Sequence, residues 1–172
     1  IFLCAALTMR MWSEERHSGT LEHLLTQPAS LWHFVMGKFW ACFTLLLLAL
    51  ICTLPLPMTV ALIADLDWGP VIGGYVATVL LGATYLAIGL FVSARTDNPI
   101  VSMIGTVLLC ELLYLPGSAT FTGFFDNRTG EILRMLGSGA RFESITRGVI
   151  DLRDLFYYIS LSTVFLALNV IT

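Results

Sequence analysis

Charged residues are scarce in this 172-residue chain: Asp, Glu, Lys and Arg make up only 12% of it, while hydrophobic residues make up 57%. A soluble domain of ordinary composition carries about 25% charged residues, so this chain has too few to cover a surface exposed to water. Its high hydrophobic content also excludes a disordered chain. The composition therefore indicates a polytopic membrane protein.

Several chemical signatures are missing as well. The net charge is −3 and there is no run of basic residues, which excludes a typical nucleic-acid partner. No phosphate-loop pattern occurs, because Gly37-Lys38 is followed by Phe39, so any ATP chemistry must reside on another chain. The four cysteines form no C-x-x-C pair, and we interpret them as reduced, buried side chains. The histidines offer no tight ligand set, so we expect neither a metal nor a cofactor.

Long apolar runs are abundant instead. A helix needs about 20 residues to cross a bilayer, and four runs are about that long. The apolar start of the chain is shorter, so we expect a fragment that lacks its first membrane helix. The sequence predicts an all-α, polytopic transmembrane helical bundle with these parts: the end of a span at 1–12, a cytoplasmic region at 13–33, spans at 34–64, 70–94 and 98–116, an outer segment at 117–154, and a span at 155–172.

The cytoplasmic region contains a predicted amphipathic helix. Gly19 is suited to end one helix, Thr20 to cap the next, and Pro28 to close it. The apolar face of this predicted helix is formed by Leu21, Leu24 and Leu25. Glu22 and His23 lie off that face. On pattern alone, a passive helix seated among lipid headgroups is the simpler interpretation.

A resemblance favours a functional role for this helix. The pattern E-E-R-x-x-G-T-L-E-x-L-L-T-x-P at 14–28, followed by Gly37-Lys38-Phe39, resembles the permeases of ABC-2 type transporters. The stretches 54–70 and 147–154 match the same family, and the gliding-motility-associated subgroup is the most similar one. The resemblance implies a permease of the inner (plasma) membrane that pairs as a dimer and binds separate ATPase subunits. It also implies a coupling role for the following residues: Gly19, Thr20, Glu22, His23, Leu24, Leu25 and Pro28.

Glu111 is the only acid inside a predicted span. Ionisable groups in hydrocarbon are costly, so they usually face protein or water. One interpretation places Glu111 on the translocation path. The other places it near the outer interface, a few residues before Pro116, where its carboxylate reaches the headgroups. The sequence leaves both open.

The outer segment contains a second amphipathic pattern. Phe142, Ile145, Thr146 and Val149 recur at helical spacing, and the segment's glycines favour turns around them. We expect an extracytoplasmic amphipathic helix, which the family resemblance suggests is re-entrant.

The resulting hypothesis is the membrane permease subunit of an ATP-driven ABC-2 type exporter. The alternative is a secondary transporter or channel that works without an ATPase. That class usually carries several charged residues at mid-membrane, and only Glu111 qualifies here. A membrane-embedded hydrolase is weaker still, because it needs a nucleophile, a base and an orienting residue at one depth, and no such set accompanies Glu111.

Basic residues in the short loops predict the orientation. Arg16 and Arg95 place their loops in the cytoplasm, and the acidic turn around Asp67 lies outside. We therefore expect an impermeant thiol reagent to label Asp67→Cys but not His17→Cys in intact cells. Both positions should label once the cells are permeabilised. Labelling of position 17 alone in intact cells would reverse the orientation.

Overall fold

The structure, a computed structural model, describes residues 1–19, 30–123, 135, 137–148 and 151–171. The regular elements of these residues are all helical. In chain order they are α1 Phe2–Thr8, α2 Ser13–His17, α3 Leu31–Thr53, α4 Pro55–Ile63, α5 Trp68–Ser93, α6 Pro99–Tyr114, a 3-10 turn Leu115–Gly117, α7 Ala119–Thr122, α8 Ser138–Thr146 and α9 Leu152–Ile171. The predicted all-α fold class is thus confirmed.

Four helical stretches of the described residues are long and apolar enough to cross a membrane: Leu31–Ile63, Trp68–Ser93, Pro99–Gly117 and Leu152–Ile171. The first combines α3 and α4, which are separated at Leu54 because Pro55 and Pro57 have no backbone N–H to continue the helix. It spans 33 residues. About 20 suffice for hydrocarbon, so its first turns need not lie within the bilayer.

Local sequence determines where several helices begin. α6 begins at Pro99, whose fixed φ suits the first helical position, and the Asn98 side chain accepts a hydrogen bond from the Ile100 N–H at 2.9 Å. The Asp67 carboxylate accepts one from the Gly69 N–H at 3.1 Å at the start of α5. These caps satisfy N–H groups that lack partners within the helix.

The chain divides into two compact units, and the long helices contribute residues to both. Unit 1 comprises residues 1–44, 82–110 and 159–172. Within it α5 is the core helix: Gly89 lies directly against the Thr8 side chain of α1, and the Cys4 thiol lies 3.8 Å from the Gly82 carbonyl. On α9, the Ser162 hydroxyl lies 3.0 Å from that of Thr84. Glycine lets α1 approach the α5 backbone closely.

Unit 2 comprises residues 45–81 and 111–158. Ala77 of α5, Ile145 of α8 and Tyr158 of α9 form its buried cluster. The 3-10 turn packs backbone to backbone against the start of α8, where Gly117 and Gly137 leave no room for a Cβ atom. The Tyr158 hydroxyl donates to the Ser138 carbonyl at 2.8 Å. The N-terminus of α8 is therefore fixed by both backbone packing and hydrogen bonding.

The cysteine prediction is partly wrong. All four thiols are free, and Cys4, Cys42 and Cys110 are buried, but Cys52 is exposed. Cys52 lies near the end of α3, within the stretch Leu31–Ile63, which is the least buried of the four candidate spans. An apolar run predicts burial away from water, and in a membrane span that condition is also met by facing lipid.

Two adjacent glycines of α5 provide a test of this packing. A Cβ atom at Gly73 would overlap the Ile145 carbonyl oxygen and lie 3.2 Å from the Gly148 Cα, whereas Gly74 has nothing within 4 Å. We expect Gly73→Ala to destabilise the protein by about 1–3 kcal/mol, because backbone atoms cannot move aside easily. Gly74→Ala should be neutral or slightly stabilising. Thermal unfolding of the two purified variants measures the difference, and equal midpoints would contradict this account.

Candidate functional site

Most of the predicted coupling residues lie outside the described part of the chain. Gly19 is described, and it follows α2 with a φ of +71°, a left-handed conformation that favours glycine. The expected end of a helix at Gly19 is therefore present. The other predicted coupling residues lie outside the described residues: Thr20, Glu22, His23, Leu24, Leu25 and Pro28. Their roles stay predictions.

The chain that leads to Gly19 is held in a polar corner of unit 1. We call this the α2 corner and define it as residues 9–18 with Lys38 and residues 93–97. At its centre is Ser93, the last residue of α5, which is fully buried. Its hydroxyl oxygen accepts hydrogen bonds from the backbone N–H groups of Trp12 at 3.1 Å and Ser13 at 3.3 Å. It also donates to the Met9 carbonyl at 3.3 Å.

Ser93 of α5 bonds to the start of α2, and Arg16 of α2 in turn bonds to the end of α5. Its guanidinium donates to the Ala94 carbonyl at 2.6 Å, just beyond the last residue of α5. It also pairs with the Asp97 carboxylate at 2.9 Å. A cation near the last carbonyls of a helix is favourable, because these carbonyls lack partners and carry the negative end of the helix dipole. The end of α5 and α2 thus cap each other.

Lys38 brings α3 into the same corner. Its ammonium group donates to the Met11 carbonyl and pairs with the Glu15 carboxylate. It also lies 3.7 Å from the centroid of the Trp12 ring, a cation–π arrangement. The Trp12 indole N–H is buried and has no acceptor among the described residues. One lysine therefore joins the loop before α2, α2 itself and the start of α3.

Glu111 lies on α6, in the part of that helix that belongs to unit 2. Its side chain is half-buried. Within the described ranges, no group of three or more His, Cys, Asp or Glu residues is arranged to hold a metal ion. The assignment of Glu111 to a translocation path stays a prediction.

The predicted outer segment does contain a helix, α8, and Ile145 is fully buried on it. Val149, which belongs to the same predicted face, lies outside the described residues. The Arg141 guanidinium pairs with the Asp154 carboxylate at 2.9 Å, donates to the Met135 carbonyl at 3.1 Å and stacks 4.3 Å from the Tyr157 ring centroid. Asp154 is only 7% exposed. This ion pair connects α8 to α9.

Unit 2 also has an open groove of about 380 Å³. Apolar side chains of α3, α4, α5 and α8 line most of it, including Pro57 and Phe142. Two hydroxyl groups in its wall, those of Thr53 and Tyr75, lie 2.9 Å apart and bond each other. The described residues that line the groove carry no charge, so it presents a largely apolar surface.

Sequence reasoning missed the residues that build the α2 corner and the α8–α9 connection. Ser93 is one of several serines in apolar helices, and its partners lie about 80 residues earlier in the chain. Arg141 and Asp154 are 13 residues apart, beyond helical spacing. The only sequence signal for Ser93 is a hydroxyl at the point where an apolar span ends beside Arg95.

A family model described as ABC-2 family transporter protein matches residues 2–136. No curated protein matches the chain, and no solved structure does. The matched residues include all of the α2 corner and three of the four candidate spans.

The ion pair between α8 and α9 is open to a direct test. Asp154→Asn leaves the half-buried Arg141 guanidinium without its counter-charge, so we expect a loss of about 1–3 kcal/mol in unfolding free energy. Asp151→Asn is the matched control, because Asp151 is exposed and an amide oxygen still accepts from the Arg153 N–H. Thermal unfolding in detergent compares them. An Asp154→Asn midpoint equal to that of Asp151→Asn would show that the pair contributes nothing.

Proposed function

Because this chain belongs to the ABC-2 family of transporter proteins, we propose that it forms the translocation path of an ATP-driven exporter and couples to a separate ATPase subunit. The family assignment makes the chain a membrane permease of an ABC-type system, a transport subunit that is not itself catalytic. The four candidate spans agree with a multi-pass membrane protein. Coupling, export and assembly belong to the proposal.

The α2 corner is the observation that best supports coupling. The predicted coupling segment, 20–28, directly follows α2 and Gly19. A segment that receives force from a partner must be fixed to the spans at its base, or its motion is lost in a flexible loop. Ser93, Arg16 and Lys38 supply that fixation through hydrogen bonds to backbone groups and through ion pairs.

The proposed complex contains two permease copies and two ATPase subunits in the inner (plasma) membrane. The motif at 14–28 supports the gliding-motility-associated subgroup. In the predicted coupling segment, we expect Glu22 and His23 to lie off the leucine face, where a basic groove on the ATPase can reach them. A carboxylate there accepts charge-assisted hydrogen bonds, which are stronger than neutral ones.

The alternative function is a transporter or channel that needs no ATPase. Glu111 is the observation that favours it, because it is a half-buried acid on a candidate span. The two functions differ in whether transport stops when ATP hydrolysis is prevented. Replacement of the phosphate-loop lysine in the partner ATPase abolishes transport in the exporter and leaves it intact in the alternative.

The function is tested by co-purifying the full-length permease with the ATPase encoded by a neighbouring gene. Native mass spectrometry should give a two-plus-two complex, and candidate substrates are then screened for stimulation of ATP turnover. We expect Glu22→Ala to preserve expression but to lower substrate-stimulated ATP turnover. Docking should weaken by roughly tenfold to a hundredfold, because a shielded hydrogen bond to a charged group contributes about 1.5–3 kcal/mol.

Leu24→Asp is the contrasting variant, since a charge on the apolar face should impair insertion or folding instead. Normal stimulated turnover in Glu22→Ala, with no crosslinks from positions 20–27 to the ATPase, would reduce this helix to an interfacial anchor.

A further inference from the structure

We propose that Ser93 and Arg16 are positioning residues that make α2 and the C-terminal end of α5 move as one body. Displacement of the segment after Gly19 is then passed directly to α5. This inference rests on the proposed coupling function and names the connection through which it acts. The observation that carries it is reciprocal capping: a side chain from each helix satisfies the backbone groups at the end of the other.

The hydroxyl of Ser93 is used to its full capacity. A serine hydroxyl has one donor and two acceptor lone pairs, and here it donates to Met9 and accepts from Trp12 and Ser13. Ser93 and Ser13 are both fully buried, so water cannot readily replace a lost bond. Removal of the hydroxyl would leave two buried N–H groups without an acceptor, which costs more than the loss of an exposed hydrogen bond.

The Ser93 cap stabilises α2 as a helix. This helix has five residues, and isolated helices of that length are unstable in water because nucleation is unfavourable. Its own N-cap residue, Trp12, makes no side-chain cap hydrogen bond, so the cap comes from Ser93. Attachment to α5 therefore helps to keep this short helix ordered, together with the contacts of Lys38.

Arg16 contributes mainly through the geometry of its hydrogen bonds and less through the attraction between charges. Its ion pair with Asp97 is exposed, with 46% and 68% of the two side chains accessible, and such pairs contribute little. Its hydrogen bond to the Ala94 carbonyl is the specific part, because a planar guanidinium reaches the carbonyl and the Asp97 carboxylate at the same time. Arg16→Lys keeps the charge but not this geometry.

A displacement of α2 would be passed on to α5, which packs against several other helices. This helix is the most buried of the four candidate spans. In unit 1 it contacts α1 through Gly89 and α9 through Thr84. It contacts α6 through Val92, whose side chain packs so closely on Gly105 that a Cβ atom there would lie only 3.1 Å away. A shift at Ser93 is therefore opposed by close packing and spreads to three neighbouring helices.

The attachment itself is tested first on the full-length permease without its partner. Hydrogen exchange at the amides of residues 13–17 should be at least about tenfold faster in Ser93→Ala than in the wild type. Ser93→Thr, which retains the hydroxyl, should restore most of the protection. Ser162→Ala is the matched control, because it removes a different hydroxyl that contacts α5 in unit 1. Unchanged exchange in Ser93→Ala would overturn the inference, whatever the ATPase does.

The transmission is tested on the complete complex with Ser13→Cys/Ser93→Cys. In the reduced state the native cap is absent, so we expect substrate-stimulated ATP turnover to fall about tenfold while basal turnover and the amount of complex stay constant. Oxidation to a disulfide replaces the cap by a covalent bond and should restore stimulation. Wild type and Ser93→Cys alone, each with and without reductant, control for the native cysteines.

The outcomes separate the two proposals. Stimulation that is normal in the reduced double variant and lost on oxidation would show that α2 and α5 must separate during the cycle, which overturns the inference. A wild-type complex without substrate-stimulated turnover would overturn the proposed function instead. In that case the exchange result still decides whether Ser93 attaches α2 to α5.

Discussion

Close contact between helix backbones is the constraint on which this structure depends. Lipid tails are as apolar as leucine, so helices in a bilayer gain little from hiding apolar side chains from each other. They associate where small residues let them approach closely. α5 has this property in both units: Gly89 meets α1 in unit 1, and Gly73 meets the end of α8 in unit 2. A larger residue at either glycine would separate the helices and weaken their packing.

Several of the polar contacts lie where regular helices end. A helix satisfies its own backbone except in its first and last turns, and those groups need partners from elsewhere. At the end of α5 the partners come from α2 and the loop before it, through Ser93 and Arg16. At the start of α6, the Asn98 side chain accepts from the Ile100 N–H. A few polar side chains therefore fix the positions of helix ends in an otherwise apolar chain.

This arrangement is a physical basis for the coupling that we propose. The short helix α2, next to the predicted coupling segment, is attached to α5, the most buried span. Lys38 joins α3 to α2. Force applied there acts on packed helices rather than on a free loop. Arg141 and Asp154 give α8 a similar attachment to α9 in unit 2, so that the predicted outer segment is also connected to a span by a partly buried charge pair.

The sequence by itself determined the class of the fold, because uncharged runs of spanning length leave few alternatives to membrane helices. It also predicted the helix start at Pro99, the helix end at Gly19 and a helix in the outer segment, since each depends on backbone preferences of a few neighbouring residues. The coupling role of 20–28 came from a family pattern, and Glu111 was singled out by its charge alone; neither was decided by the described structure.

Only the tertiary structure decided that Ser93 caps α2, that Arg16 reaches Ala94 and Asp97, that Arg141 pairs with Asp154, and that Cys52 is exposed. The contacts join residues that belong to different helices, and the exposure of Cys52 depends on which helices lie beside it. The position of one helix beside another leaves no local periodic signal in the sequence.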